Sequence, residues 1–256
     1  MTKIRFYGEG LPGFTRRRAL PGRLIVLEGT DGVGRSTQIA LLREWVESKG
    51  YAVQSTGLKR SALAGSGIKE AMRGHTLGNL TTNLYYATDM VDRLEKIILP
   101  ALRAGFVVLT DRYIYSIVAR ALVRGVDPGW IRDVFGFALV PDAVFYLHAD
   151  LTHLIPRVLN ARGFDFWESG MDHLSNRDYY EAFVEYQSRL LAQFEALVDE
   201  YDFLRIDATQ SIREVFQALT TEIEGVLSDM KPISPAQAER DLSEAKAESR
   251  IGRAAK

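Results

Sequence analysis

A stretch of fifteen residues near the start of the chain, LIVLEGTDGVGRSTQ at 24–38, limits what this sequence can fold into more than any other. An apolar run leads into a glycine-rich loop, and a segment with helical spacing follows the loop. The frame Gly29-xxxx-Gly34-Arg35-Ser36 matches the Walker A pattern G-x-x-x-x-G-K-[ST], with arginine in place of lysine. In such a loop, backbone N–H groups and the positive end of the following helix bind phosphate oxygens. The stretch therefore predicts a strand, a phosphate loop and a helix.

The residues of this loop indicate how a nucleoside triphosphate is held. Arg35 keeps a positive charge over the β and γ phosphates, although a planar guanidinium binds as a fork and not as a point charge. Ser36 would place its hydroxyl on Mg²⁺. The predicted ATP-binding residues are Gly29, Thr30, Asp31, Gly32, Val33, Gly34, Arg35, Ser36 and Thr37. The alternative interpretation is a glycine-rich turn in some other α/β protein.

Composition bounds the domain organisation and excludes several kinds of site. The 256 residues, 46% of them hydrophobic, suffice for one α/β domain with tails. A net charge of −1 gives no global field for nucleic acid or a membrane surface, so phosphate affinity must be local. The sequence has no cysteine, which removes disulfides, thiolate catalysis and cysteine-ligated metals. No metal-like spacing relates the four histidines, His75, His148, His153 and His173.

The sequence also lacks the patterns of membrane and secreted proteins. No apolar run reaches the roughly 18 residues that a spanning helix needs. The N-terminal residues contain no apolar core of a signal peptide. We therefore expect a cytoplasmic protein without a membrane span.

Five short apolar runs predict the strands of the domain. They are Arg23–Glu28, Tyr51–Thr56, Phe106–Thr110, Ala143–Leu147 and Asp202–Ile206. Because helical segments separate these runs, we expect a parallel sheet covered on both faces. Ligands on such sheets bind at the carboxyl ends of the strands, so loops from distant parts of the chain share one rim.

Three long helices are predicted from the spacing of apolar residues. Leu84–Ala104 carries them on one face, Arg177–Glu200 forms a second helix, and a third begins at Ser211. Ser211 and Glu214 have the spacing of a capping box, which typically starts a helix.

The sequence predicts a folded domain in the middle of the chain and a less ordered segment at each end. We expect residues 1–22, which include the Arg16-Arg17-Arg18 cluster, to be a flexible extension. Residues 23–228 form the predicted phosphate-loop domain. Residues 229–256 are rich in Ala, Glu, Lys and Arg, and we expect a charged tail that is disordered or loosely helical.

The predicted rim carries the residue types that phosphoryl transfer needs, since that reaction depends on positioning and charge neutralisation. Asp111 ends an apolar strand and can ligate Mg²⁺ or its waters. Arg60 and Arg112 lie at neighbouring strand ends and can bind the phosphate of an acceptor as forks. The alternatives are a structural ion pair between Asp111 and Arg112, and a solvated surface position for Arg60.

A second basic pair, Arg157 and Arg162, follows the fourth strand and leads into an aromatic-rich run. A mobile segment here would close over the phosphates and bring Arg162 to the charge of the transition state. Alternatively, Phe164, Phe166 and Trp167 anchor the segment by ordinary packing.

Five motifs, LIVLEGTDGVGRSTQ, FVVLTDRYIYSIVA, ILPAL, PDAVFYL and IDA, together resemble thymidylate kinase, a nucleoside monophosphate kinase, from about Arg23 to Leu227. The resemblance implies the P-loop NTPase fold, a five-stranded parallel sheet of order 2-3-1-4-5 sandwiched by helices. It also implies MgATP as donor, dTMP as acceptor, dTDP and ADP as products, and a homodimer.

The resemblance assigns roles at the acceptor site to matching positions. It places Asp31 beside the acceptor sugar, Arg60 on the acceptor phosphate and Tyr86 against the thymine ring, as an aromatic face can do. The substrate-binding residues that it implies are Asp31, Arg60, Tyr86, Met90, Arg112, Ser116 and Arg120.

The resemblance also assigns the transfer machinery. Asp111 and Arg112 match the family's DR pair, and Arg162 is similar to the lid arginine of members whose phosphate loop lacks an additional arginine, a position that Gly32 occupies here. The predicted catalytic residues are Arg35, Asp111, Arg112 and Arg162, and the predicted metal ligands are Ser36 and Asp111.

Departures from the family pattern cluster where the base is read. Met90 stands where the family has a thymine-contacting arginine, and Arg93, one turn further on the same face, is a candidate substitute. Arg120-Ala121 replaces an aromatic or Tyr-Gln pair, and Phe166 replaces an arginine of the lid. Two alternatives therefore stay open: a kinase for another pyrimidine or modified nucleotide, and, because of Arg35 and Phe166, a non-catalytic nucleotide-binding regulatory protein.

Overall fold

The computed structural model describes residues 4–12, 20–74, 77–233 and 235–254; the Arg16-Arg17-Arg18 cluster and His75 lie outside these residues. Its centre is a five-stranded sheet in which every pairing is parallel and the order is β2-β3-β1-β4-β5. The strands are β1 Arg23–Glu28, β2 Val53–Gly57, β3 Val107–Asp111, β4 Ala143–His148 and β5 Leu204–Asp207. The predicted fold class and strand order are therefore confirmed.

The helices of the described residues cover this sheet on both sides. They are α1 Arg35–Ser48, α2 Gly65–Arg73, α3 Asn79–Arg93, α4 Leu99–Arg103, α5 Ile114–Val123, α6 Pro128–Val134, α7 Leu151–Ala161, α8 Tyr179–Tyr201, α9 Ile212–Leu227 and α10 Pro235–Ala254. Within the described parts of the chain, no helix is both long and apolar enough to cross a membrane.

The predicted helix Leu84–Ala104 is longer and less regular than expected. It begins at Asn79, and a π-helical segment, Leu94–Ile98, separates α3 from α4. Pro100 lies two residues after this segment; it has no N–H to donate to the preceding turn, and its ring opposes a regular α-helix there.

Helix caps explain where two other helices begin. Asp178 caps α8 by accepting the N–H of Glu181. The helix therefore begins at Tyr179, two residues after the predicted start at Arg177. The predicted capping box at the start of α9 is present, with the Ser211 hydroxyl and the Glu214 carboxylate each bonding the other's backbone.

The sheet is buried on both faces because β1 alternates between two apolar clusters. Leu24 and Val26 pack on the side of α3, α4, α5 and α8, whereas Ile25 and Leu27 pack on the side of α1 and α9. All six residues of β1 are buried. The phosphate loop therefore follows a central strand that is buried along its whole length.

Residues 4–12, which the sequence assigned to a flexible extension, pack against the domain. The Tyr7 N–H donates to the Ala138 carbonyl at 3.1 Å, and the Gly8 N–H donates to the Gly136 carbonyl at 2.8 Å. The Tyr7 hydroxyl also bonds that of Tyr115 in α5, and Ile4 is buried. Pairing of backbone with backbone lets this segment dock without a strong sequence pattern of its own.

The C-terminal segment, expected to be disordered or loosely helical, forms helix α10 against α4. Ala238 and Ala245 are buried there, and Leu242 packs against the core between them. This spacing puts small residues on one face, so α10 can approach α4 closely despite its low apolar content. Alanine also has the highest helix propensity of all residues.

Candidate functional site: a phosphate loop beside a basic cleft

The glycines of the phosphate loop are required by its backbone. Gly29 has φ +140°, and a Cβ there would lie 2.6 Å from the carbonyl oxygen of Leu147 in β4. Gly32 has φ +79°, and its Cβ would lie 2.7 Å from Val158 in α7. The loop therefore follows β1 in close contact with neighbouring elements and delivers the chain to the N-terminus of α1, where N–H groups bind anions.

Arg35 lies within the loop and joins it to the end of β3. Its Nη1 donates to the carbonyl oxygens of Gly29, at 2.6 Å, and of Thr30. Its Nε donates to Asp111 Oδ1 at 2.9 Å, and the Ser36 hydroxyl donates to Asp111 Oδ2 at 3.0 Å. The guanidinium is thus held in one geometry by three acceptors.

Asp111 reaches this position because β3 is hydrogen-bonded to β1, with Asp111 paired to Leu27 in register. Burial opposes its ionisation, but the positive charges of Arg35 and Arg112 outweigh burial, so the pKa of Asp111 is below its ordinary value. The carboxylate is therefore charged at neutral pH, next to a serine hydroxyl. Both groups supply the oxygen ligands that Mg²⁺ prefers.

Asp31 at the tip of the loop binds two arginines from the other side of the rim. Arg112, just after β3, donates from Nη2 to Asp31 Oδ1, and Arg120 of α5 donates to Asp31 Oδ2 at 2.6 Å. Burial opposes ionisation here too, but Arg112 and Arg120 hold the pKa of Asp31 far below its usual range. The backbone of Arg112 is left-handed, with φ +67°, which is uncommon for a residue with a side chain.

Glu28, which the sequence reasoning missed, fastens the start of α5 to the end of β1. Its carboxylate accepts the N–H of Tyr113 at 2.7 Å and the hydroxyl of Ser116 at 2.5 Å, and it is fully buried. Burial raises the pKa of Glu28. The predicted substrate residue Ser116 therefore lies buried against Glu28. An acidic residue ending an otherwise apolar strand was the available signal.

Beside the phosphate loop, which is the first site, lies a cleft, here called the second cleft. Two predicted substrate-binding residues, Tyr86 and Arg120, line it. Its wall includes Met72, Tyr86, Ile117, Arg120, Arg124 and Trp167. Because Arg120 lines this second cleft and also bonds Asp31, the two sites are in direct contact. The cleft thus combines aromatic and aliphatic side chains with one cation, Arg120, that is bonded to the loop.

Met90 and Arg93 do not take the places suggested for them. Both are fully buried, and neither lines the second cleft. Arg93 Nε donates to Asp89 at 2.8 Å, and Arg93 Nη2 contacts the Met90 sulfur at 3.3 Å. Arg93 is therefore the partner of a buried carboxylate and not a substitute reader of a base.

Arg124 is a further cation of the second cleft that the sequence reasoning missed. Its Nε and Nη2 bond both oxygens of Asp172, at 2.7 and 2.9 Å, and its guanidinium lies 4.8 Å from the Tyr186 ring centroid. Ser116, Arg120 and Arg124 recur every four residues, so Arg124, the residue directly after α5, continues the helix face that carries Ser116 and Arg120. That periodicity was the signal in the sequence.

Arg60 lies on the far side of the rim and is exposed. Within the described part of the chain, its hydrogen bond is a long one, 3.5 Å from Nη1 to the Thr56 carbonyl. It lines a groove together with Lys59, Lys69 and Arg73. The guanidinium of Arg60 therefore has N–H groups available to bind an anion, as predicted for the acceptor phosphate.

The segment between α7 and α8, residues 162–178, is here called the lid. Its aromatic residues are anchored: the Phe164 ring packs 4.6 Å from that of Phe183 in a tilted arrangement, and the Trp167 indole donates to the Met72 carbonyl of α2 at 2.9 Å. Arg162, in contrast, has a side chain that is 56% exposed and pairs with Glu168. The lid thus closes one side of the second cleft while its arginine stays at the surface.

Comparisons with known proteins agree with this geometry. The family model for thymidylate kinase matches residues 27–219. A probable thymidylate kinase 2 of Saccharolobus solfataricus is 37% identical over 76% of this chain and 92% of its own length. A thymidylate kinase of Leifsonia xyli subsp. xyli is 34% identical over 80% of this chain and 96% of its own length. A probable thymidylate kinase of Thermococcus kodakarensis is 30% identical over 80% and 98% of the two chains.

Proposed function

The chain belongs to the thymidylate kinase family, and on that premise we propose that it transfers the γ-phosphoryl group of MgATP to dTMP, giving dTDP and ADP. The observation that carries the proposal is the pair of adjoining sites: a phosphate loop backed by Asp111, and a cleft whose cations bond that same loop through Asp31. Two phosphate-bearing ligands can therefore meet at one rim, which is what in-line transfer requires.

The donor side would use the loop and its two neighbouring oxygen ligands. Backbone N–H groups of the loop and the N-terminus of α1 bind the phosphates. Ser36 and Asp111 would hold Mg²⁺, which would neutralise the negative charge that develops on the transferring phosphoryl group. Arg35 donates to loop carbonyls and to Asp111, so it keeps the loop and the carboxylate together, and its positive charge would stabilise phosphates bound at the loop.

The acceptor side would use the arginines around Asp31. Arg60 and Arg112 bind the phosphate of the nucleotide, and Asp31 keeps Arg112 charged and oriented. Lid closure would then move Arg162 from Glu168 towards the transferring group, where a guanidinium stabilises charge in the transition state.

The base would enter the second cleft. Tyr86 supplies an aromatic face, and Arg120 and Arg124 supply hydrogen-bond donors to the cleft, which the buried Met90 does not line. Thymine presents carbonyl oxygens to such donors. The cleft therefore still contains groups that can bind a pyrimidine, despite the departures from the family pattern.

We expect purified protein to release ADP from MgATP fastest with dTMP in a panel that also contains dUMP, dCMP, UMP, CMP and dGMP. A no-acceptor control measures ATP hydrolysis, and product identity is checked by chromatography. Preferred turnover of another nucleotide would support phosphoryl transfer but identify that nucleotide, and not dTMP, as the acceptor. Absence of turnover with all six, with ATP still bound, would support a non-catalytic nucleotide-binding protein instead.

The proposal includes a homodimer in the cytoplasm, where MgATP is supplied. Three exposed leucines around α2 and α3 support the dimer: Leu63, Leu80 and Leu84, which are 65, 59 and 51% exposed. We expect the protein to sediment as a dimer and Leu84→Glu to sediment as a monomer. Leu159→Glu, at a residue of α7 that is 50% exposed, is the matched control and should stay dimeric. A monomeric wild type would contradict the proposal.

A further inference from the structure

Lys59 has a backbone that its surroundings impose. It follows β2 with φ +60°, a left-handed conformation that is costly for a residue with a side chain. The buried carboxylate of Asp89 holds the turn by accepting the N–H of Lys59 at 3.1 Å and that of Ser61 at 2.9 Å. Arg93 in turn holds Asp89. A fully buried ion pair thus fixes the loop that presents Lys59 and Arg60.

The ammonium group of Lys59 has a poor partner for a cation. The side chain is half-buried, and among the described residues the hydrogen-bond partner of Nζ is the Met72 sulfur, at 3.7 Å. Thioether sulfur is a weak acceptor. A desolvated cation without an oxygen partner is unfavourable unless a ligand supplies one.

Charged groups from every neighbouring element act on this amine. Burial, followed by the positive charges of Arg120 and Arg112, lowers the pKa of Lys59 to about 8, while Asp31 and Asp165 act in the opposite direction. The other charged side chains on its own loop, on α3 and along the groove of α2 are Arg60, Asp89, Lys69, Glu70 and Arg73. Cations outnumber carboxylates around Lys59, so the site is built for an anion.

We propose that Lys59 is a further binding residue for the acceptor phosphate, and that the binding of this dianion recruits a proton from solvent to the Lys59 amine when the solution is alkaline. The proposal rests on the proposed function, since it takes the acceptor to be a nucleoside monophosphate. The phosphate would replace the sulfur as the partner of Nζ and would also neutralise Arg60 and Arg112. Lys59 binds substrate without reacting with it.

The test follows the acceptor KM from about pH 7.5 to 9.5, a range in which a phosphate monoester is already a dianion. In wild type, the acceptor KM should rise once the pH exceeds about 8, because the free enzyme then loses the charge that the complex needs. Lys59→Arg keeps its charge, so its KM should stay flat over this range. Lys59→Gln should have a KM about tenfold higher already at pH 7.5, without that rise.

Three readouts separate binding from a structural role. The kcat and the KM for ATP should stay within about threefold of wild type in both variants, as should thermal stability. Lys49→Gln, at an exposed lysine that pairs with Glu224 on α9, is the matched control and should reproduce the wild-type profile. Calorimetry at pH 8 in two buffers of different ionisation enthalpy should detect proton uptake when dTMP binds.

A wild-type KM in Lys59→Gln, or a Lys59→Arg profile that still rises with pH, would overturn the proposal. Wild-type protein that turns over no nucleotide in the panel would instead overturn the proposed function, so the two failures are distinguishable. A loss of kcat without a change in acceptor KM would assign Lys59 to another role and also overturn it.

Discussion

Asp111→Asn is expected to lower kcat by about 100-fold or more, since an oriented charge at the reacting phosphates typically contributes that much. The substitution preserves the shape of the side chain and an oxygen that can still accept from Arg35. It removes the negative charge that orients Arg35 and that would hold the metal beside Ser36. Initial rates at saturating MgATP and dTMP measure the effect, and circular dichroism and a thermal melt show whether the protein is folded.

Asp207→Asn is the matched control for Asp111→Asn. Asp207 also ends a strand of the sheet, β5, but its carboxylate is exposed and accepts hydrogen bonds from Thr209 and Gln210 of its own turn. We expect wild-type kcat in this control. Equal activity in Asp111→Asn and wild type would remove Asp111 from the transfer machinery.

Arg162→Ala is expected to lower kcat by about 1,000-fold, within the range of arginines that are brought to a transferring phosphoryl group. Its stability should remain within about 1 kcal/mol of wild type, because the Arg162 side chain is 56% exposed and, among the described residues, its ion-pair partner is Glu168. Rapid-quench measurement of a single turnover reports the chemical step directly. The expected separation of rate from stability distinguishes a moving arginine from an ion pair that merely stabilises the lid.

Arg157→Ala controls for the loss of a guanidinium near the lid. Arg157 lies on α7 and donates at 2.9 Å to the carbonyl of Ala208, which follows the edge strand β5, two strands away from the strand β1 that precedes the Asp31 loop. Its removal should change kcat less than about threefold. Wild-type single-turnover rates in Arg162→Ala would leave the lid with a packing role alone.

The fold could be predicted because its signals are local. Buried parallel strands are continuous apolar runs, and the phosphate loop is a contiguous motif that places a strand before it and a helix after it. Errors occurred at the ends of elements, as at Asp202, which was assigned to β5 and is in fact the left-handed residue that ends α8. The π-helical segment before Pro100 was not predicted, although the proline was visible.

The candidate site was harder to predict because its members find partners far away in the sequence. Asp111 and Arg112 could be located from their position after β3, but Arg124 depends on Asp172 in the lid, and Lys59 depends on Asp89 in α3. Such pairs leave no periodic pattern. The assignment of Arg93 to the base failed because helical spacing gives the face of α3 and not the depth at which each turn of that face is buried.

The hydrogen bond between the Trp167 indole and the Met72 carbonyl makes movement of the lid measurable by tryptophan fluorescence. A single bond of this kind is worth about 1 kcal/mol, so the lid can part from α2 at small cost in each cycle. Indole emission responds to water and to hydrogen bonding. With Trp45 and Trp130 replaced by phenylalanine, Trp167 is the remaining tryptophan. Its emission wavelength should then shift when nucleotide binds and shift back when product leaves.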